Sequence, residues 1–324
     1  MFKKIFLLMT LVLTLNANEF KKMDKLVLSG PMASVSHPIL HMIESGALKD
    51  IANEVEFVMW KNPDELRALT LRSRADFIAL PTNVGANLYN KGVDIKLLNV
   101  SVWGILGMIT RDESKKTLAD FRGCDIAMPF RADMPDIVFE EIVKKQGLNP
   151  KKDFNLKYVG SPIDAMQMLI MRRVDHALLA EPAISMALRK TNSYPLKLIA
   201  PDLYRSADLE KEWGEVFKIE AKIPEAGIAM VGKQDYRVVK RVLEEYEKSL
   251  AWYKANPKEA GKLVAKYIPM LNADAVADSM EYVKLQDVSA KDSKKDLEFF
   301  YNILKNNKPK SIGGKLPDDG FYKE

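Results

Sequence analysis

Four short apolar runs in this chain end the same way. Leu26-Val-Leu-Ser-Gly-Pro31, Phe77-Ile-Ala-Leu-Pro81, Ile126-Ala-Met-Pro129 and Ala177-Leu-Leu-Ala-Glu-Pro182 are each closed by proline and followed by a helical pattern. Runs of this length and composition fit buried strands. Proline lacks the N–H that a strand ladder needs, so it ends each of them. Strand, turn and helix repeated in this way point to an α/β sheet whose loops gather at the carboxyl ends of its strands. The third unit shows the local chemistry best. After residues 125–128, Asp133 stands at an N-cap position with Pro135 and Asp136 in the first turn; Val138, Ile142 and Val143 form a stripe, Lys144 and Lys145 fall in the last turn, and Gly147 ends the helix. The first N–H groups of such a helix have no internal partner and can receive a ligand.

A second repetition divides the chain. Leu71-Arg-Ser-Arg-Ala-Asp76 leads into the strand that ends at Pro81, and Met171-Arg-Arg-Val-Asp175 into the one that ends at Pro182. Two lobes of similar plan are therefore expected, the first discontinuous (24–110 and 201–324) and the second spanning 111–200. Strands are expected at 25–30, 54–60, 76–80, 95–100, 105–110, 125–128, 156–159, 176–180 and 225–231, with 196–200 extended and 201–222 an irregular return crossing. Asn62-Pro-Asp-Glu65 is a helix start, and Thr82 suits the cap of a helix running through Tyr89.

The 324 residues suffice for two domains, and 47% hydrophobic with 29% charged residues is ordinary for a soluble globular chain. The formal charge is +5, and bases run beside acids throughout, which excludes a nucleic-acid patch. Residues 1–17 carry Lys3-Lys4, an apolar stretch over 5–15 and Ala17 at a plausible cleavage point, the pattern of a signal peptide. It is too short to span a bilayer, and no cysteine follows it to carry a lipid, so an exported, periplasmic protein is expected. Cys124 is the only cysteine, which rules out an intramolecular disulfide; it reads as a small buried side chain. His37 and His41 have the i, i+4 spacing of metal ligands, but no glutamate lies between them and no third ligand stands out. They read as one helical edge near the cleft, and no metal or cofactor is expected.

With this layout the sequence resembles the periplasmic solute-binding proteins of ABC importers, in the group that takes nitrate, sulfonates, taurine and thiamine pyrimidine precursors. The resemblance rests on Arg74-Ala-Asp76-Phe-Ile-Ala with Pro81, on Thr117-Leu-Ala-Asp-Phe-Arg-Gly123 leading into Ile126-Ala-Met-Pro129, and on Arg173-Val-Asp175 through Ala180-Glu-Pro182-Ala183; it covers roughly 24–270. Ser73 and Arg172 depart from it, standing at helix ends where glycine is common. It implies a type II periplasmic-binding-protein fold, with each lobe a mixed, mostly parallel sheet flanked by helices and a ligand cleft between the lobes. It also implies a monomer without enzymatic activity that closes on a small molecule and is read by a membrane permease with its ATPase. A sensor protein in place of the permease fits the sequence equally. Pyrimidine-synthesising enzymes share the fold but carry a cysteine-rich motif, which a chain with one cysteine lacks.

Loop positions supply the candidate ligand contacts. Ser29 and Gly30 offer a hydroxyl and a backbone N–H, Thr82 a hydroxyl beside Pro81, and Trp60 and Trp103 aromatic walls. On the second lobe, Phe130 and Arg131 follow the strand end. Arg131 presents a planar cationic fork for a carboxylate, sulfonate or phosphate, or pairs with Asp133 or Asp136. Glu181 accepts from an amine or aminopyrimidine, or pairs with Arg131. The helix N-termini with Arg131 favour an oxyanion, and Glu181 with Trp60, Trp103 and Phe130 favours a flat heterocycle. Aromatic residues at several loops favour a small organic ligand over inorganic nitrate.

Overall fold

The computed structural model describes residues 21–199 and 202–323, so the expected signal peptide lies outside the described residues. The chain opens with strands β1 (Met23–Gly30), β2 (Ala52–Met59), β3 (Phe77–Pro81), β4 (Ile95–Leu97) and β5 (Asn99–Gly104), among which lie helices α1 (His37–Glu44), α2 (Pro63–Leu71) and α3 (Thr82–Asn90). A second group follows: β6 (Leu106–Thr110), β7 (Asp125–Pro129), β8 (Asn155–Val159), β9 (His176–Ala180) and β10 (Tyr204–Asp208), with α4 (Met134–Lys145), α5 (Pro162–Ile170), α6 (Ala183–Thr191), α7 (Leu196–Ile199) and α8 (Leu209–Phe217). The chain then returns through β11 (Ala226–Val231), α9 (Tyr236–Ala255), α10 (Pro257–Tyr267), α11 (Ala273–Ser279), β12 (Lys284–Ser289) and α12 (Lys294–Asn307).

Two sheets result, in the orders β12-β5-β11-β3-β1-β2, with β4 also on β11, and β10-β6-β9-β7-β8. β1 is parallel to β2 and β3, and β7 is parallel to β8 and β9, as strands joined through helices require. The strands that carry the chain between sheets (β5, β6, β10 and β11) pair antiparallel. This is the expected two-lobe α/β architecture.

The sheets draw the lobe boundaries differently from the sequence. Leu106–Thr110 pair with β9 and β10, so the first crossing falls at Ile105 and not at 110. The charged stretch 111–116 is a surface connection within the second lobe. Tyr204–Asp208 also belong to the second sheet, and the helix that follows packs on it, so the return crossing lies at 218–225. Residues 209–217 looked irregular because charged side chains dominate them; Leu209 and Trp213, four apart, are both buried and carry the helix. Residues 196–199 are helical and not extended, and the expected strand 95–100 breaks at Leu98.

Local signals account for most helix ends. The Asn62 side chain accepts from the N–H groups of Asp64 and Glu65, and Asp133 accepts from that of Met134. Thr82 is not a cap: it is the first helical residue, and its hydroxyl donates to the Pro224 carbonyl. Ser73 and Arg172 take the left-handed conformation at φ 48° and 56°, doing with a side chain what glycine does without strain. In the repeated motif, Asp76 accepts from the Val27 N–H at 2.7 Å and ties β3 to β1.

The two crossings run side by side. Ile223 N–H donates to the Trp103 carbonyl at 2.7 Å and Glu225 N–H to that of Val102 at 3.0 Å. At the break between β4 and β5 the Asn99 side chain replaces the missing ladder, accepting from Ile228 N–H and donating to Asp287. Gly227 sits directly beneath, where a Cβ would lie 1.9 Å from the Asn99 carbonyl oxygen. His37 and His41 are not at the cleft edge. His37 Nδ1 meets Tyr253 Oη at 2.8 Å, and His41 Nδ1 meets Ser249 while its ring stacks on Trp252, so both serve the contact between α1 and α9. Burial holds His37 neutral, with its pKa pushed down to about 3. Cys124 is half-buried and not enclosed.

Candidate functional site

Where the strand ends of both lobes converge, the structure holds a cavity of about 120 Å³. The turn after β1 contributes Pro31, Met32 and Val35. Trp60 and Leu66 come from the next connection, and Leu80, Pro81 and Val84 from the edge of β3. The second lobe adds Pro129, Phe130, Met134 and Ala180, and the crossings add Val102, Ile105, Leu106 and Ala226. Three of the four strand-closing prolines, Pro31, Pro81 and Pro129, thus meet in one place, as the repetition predicts. The wall is almost wholly apolar. A cavity of comparable size and lining, about 150 Å³, accepts a benzene-sized guest.

Two carboxyl groups interrupt this wall. Asp133, the N-cap of α4, is 4% exposed, and burial raises its pKa to about 6 against the opposing pull of Arg67, whose guanidinium lies 3.3 Å away across the cleft. Glu225, on the return crossing, is fully enclosed, and burial raises its pKa well above the usual carboxylate range. The Ile105 N–H is directed at this carboxyl, while among the described residues its Oε1 has no hydrogen-bond partner. Lys61 is the cation among the lining residues, and it is exposed.

The sequence candidates divide on this geometry. Trp60, Pro81 and Phe130 line the cavity, and Trp60 is fixed by its Nε1 donating to the Ala79 carbonyl at 3.0 Å. Phe130 holds φ at 59°, a conformation rare for a bulky residue and of the kind that gathers at binding sites. Ser29 does not line it: its hydroxyl donates to the Val58 carbonyl. Gly30 is not in the wall either, and a Cβ there would strike Ser36 Oγ. Thr82 is spent on Pro224. Trp103 packs on the crossing side, donating to the Gln286 carbonyl, with Lys222 over its ring. Arg131 points outward and stacks on Tyr158. Glu181 is buried, but its partners are Arg205 and the Ser185 N–H, not the cavity. Its raised pKa reflects burial, offset by Arg205.

Sequence reasoning missed Glu225, and it missed Asp133 as anything beyond a cap. The signal for Glu225 was present in Ile223-Pro-Glu-Ala226, an acid beside proline just before a strand, the reverse of Ala180-Glu-Pro182, where the acid and proline follow one. Asp133 has a testable consequence. A carboxyl with a raised folded-state pKa stabilises most below its unfolded value of about 3.8, and that contribution is lost as pH rises through 6. Asp133→Asn keeps the cap and removes the ionisation. It is expected to raise stability at pH 7.5 by up to about 3 kcal/mol and to leave it little changed at pH 4. Thermal melts of both proteins across that range check this; parallel pH profiles would refute it.

Two α/β lobes joined by paired crossings, with a cavity walled by both, have the architecture of the periplasmic solute-binding proteins. Solved structures bear this out. An ABC transporter from Parabacteroides distasonis matches at 22% identity over 93% of this chain and 99% of that one, with a TM-score of 0.75. The ligand-binding component of an ABC-type import system from Staphylococcus aureus, with zinc bound, matches at 15% identity over 93% and 97%, TM-score 0.70. The periplasmic aliphatic sulphonate binding protein SsuA from Escherichia coli matches at 16% identity over 93% and 92%, TM-score 0.66. At these identities the likeness is one of fold. No family model and no curated protein matches the sequence. Among the described residues, no helix is long and apolar enough to cross a membrane.

Proposed function

We propose that this protein is the substrate-binding component of an ABC importer, exported to the periplasm, which captures a small organic molecule between its lobes and presents it to a membrane permease. The observation that carries this reading is the apolar cavity walled jointly by both lobes and the crossings between them. A ligand there touches both lobes at once and so favours the closed arrangement by its differential contacts. Several side chains already bridge the lobes around it. Arg67 reaches Asp133, Lys308 reaches Glu140 at 2.9 Å, Asn307 bonds Glu141, and Arg189 pairs with Asp274 and Asp278. The solved structures of like fold support the importer role. The composition of the wall favours an organic ligand over an oxyanion, because Arg131 faces away and Ser29 and Thr82 are engaged within the protein.

Native mass spectrometry of the mature protein, purified without denaturation, tests the reading. One equivalent of a small molecule is expected to be retained, with a mass below about 150 Da on the scale of a cavity that admits a single ring. After its removal, the radius of gyration is expected to rise as the lobes part. Failure to bind any member of a broad panel of small amines, alcohols, sulfonates and heterocycles, with no change in radius, would refute it.

A further inference from the structure

Glu225 is the one lining residue whose arrangement the fold does not explain. Its carboxyl is 3% exposed and, among the described residues, Oε1 has no hydrogen-bond partner, although a buried polar atom left unpaired is destabilising. The Ile105 N–H directed at the carboxyl accounts for part of the arrangement, which leaves Oε1 as the atom without an explanation in the packing. The surroundings also work against the charged form. Glu210 and Asp208 lie near enough to raise the pKa of Glu225 further, and the cations on that side, Lys284 at 3.3 Å from Glu210 and Lys211 at 3.8 Å from Asp208, pair with those acids. On the cavity side stand Asp133 and the exposed Lys61. Two buried carboxyl groups therefore face an otherwise apolar space, one fixed on the crossing and one carried by the second lobe. Such a space offers a protonated amine two oxygen acceptors in an otherwise apolar wall, with Arg67 already engaged by Asp133.

Resting on the importer-type reading above, we propose that the cavity takes a cyclic amine: a five- or six-membered apolar ring bearing one protonated nitrogen, which donates to Glu225 Oε1 and, in the closed arrangement, to Asp133. The ring fills the space bounded by Met32, Trp60, Val84 and Phe130. The ammonium group supplies the partner that Oε1 lacks. The ammonium group keeps its proton, and any proton the Glu225 carboxyl carries goes to solvent, so the bound pair is ammonium and carboxylate and atoms and charge balance.

The test uses three probes of one shape: cyclopentylamine, cyclopentanol and cyclopentanecarboxylate, measured by calorimetry on the full mature protein. The amine is expected to bind at least tenfold more tightly than the carboxylate, and Glu225→Gln, which keeps the volume, is expected to lose that preference. The charge preference of the native protein stands by itself should the variant fail to fold. Equal or tighter binding of the carboxylate, or an amine preference that survives Glu225→Gln, overturns the assignment. If cyclopentanol or the carboxylate binds best, the amine assignment falls while the binding-protein reading stands. If none of the three binds, the amine assignment also falls, and the native mass measurement decides the broader reading separately.

Discussion

Gly227→Val is expected to lower stability by about 3 kcal/mol or more, a large fraction of the roughly 5–15 kcal/mol that holds a folded chain together. The cause is not backbone flexibility, since Gly227 does not need a positive φ. It is proximity: a Cβ would stand 1.9 Å from the Asn99 oxygen, 2.8 Å from its carbonyl carbon and 3.0 Å from Val100 Cα, all main-chain atoms. A flexible side chain could swing aside, but here β5 itself would have to move. That movement would strain the Asn99 contacts to Ile228 and Asp287 and the hydrogen bonds that hold the crossings together. Gly104→Ala makes the contrast, because its clash is with the end of the Glu210 side chain, which can rotate. Chemical denaturation of both variants checks the argument; a Gly227→Val protein as stable as the native one would disprove the close approach.

Val84→Trp is expected to reduce ligand binding at least 100-fold with little loss of stability. Val84 sits on the first turn of α3, packed with Trp60, Leu66 and Leu80, and its side chain borders the cavity. An indole added there occupies much of the roughly 120 Å³ available. Overpacking usually costs about 1–3 kcal/mol, but here the added group enters space the fold leaves open, and it buries further apolar surface. The expected pattern is loss of the retained molecule in native mass spectrometry alongside an unchanged or higher melting temperature. Retention of the molecule at full occupancy would place the site elsewhere.

How legible this was from sequence depended on the kind of signal. The proline-closed runs read correctly because proline acts locally, and three of those prolines reach the cavity. Asn62, Asp133 and the left-handed turns at Ser73 and Arg172 are local in the same sense. Glu181 and Arg131 misled because a charged residue at a strand end looks the same whether its partner is a ligand or another side chain. The partner of Glu181 is Arg205, on a strand that was read as irregular. Arg131 stacks on Tyr158, 27 residues away. The rest of the wall, beyond Trp60, Pro81 and Phe130, was invisible, since Val35, Leu80, Val84 and Ile105 are the residue types of any core. The lobe boundary failed at 110 because a break between two apolar strands at Ile105 leaves no polar mark.

The pairing of the two crossings has a kinetic consequence. In the proposed closure, residues 102–105 and 223–226 lie on the line about which the lobes would turn, and Glu225 would keep its place whether the cleft is open or shut. Phe130 and Asp133 ride on the second lobe and would meet the guest only at closure. An arriving molecule would therefore be anchored first on the axis and enclosed afterwards. Changes at Glu225 should act on the association rate, and changes at Asp133 or Phe130 on residence time.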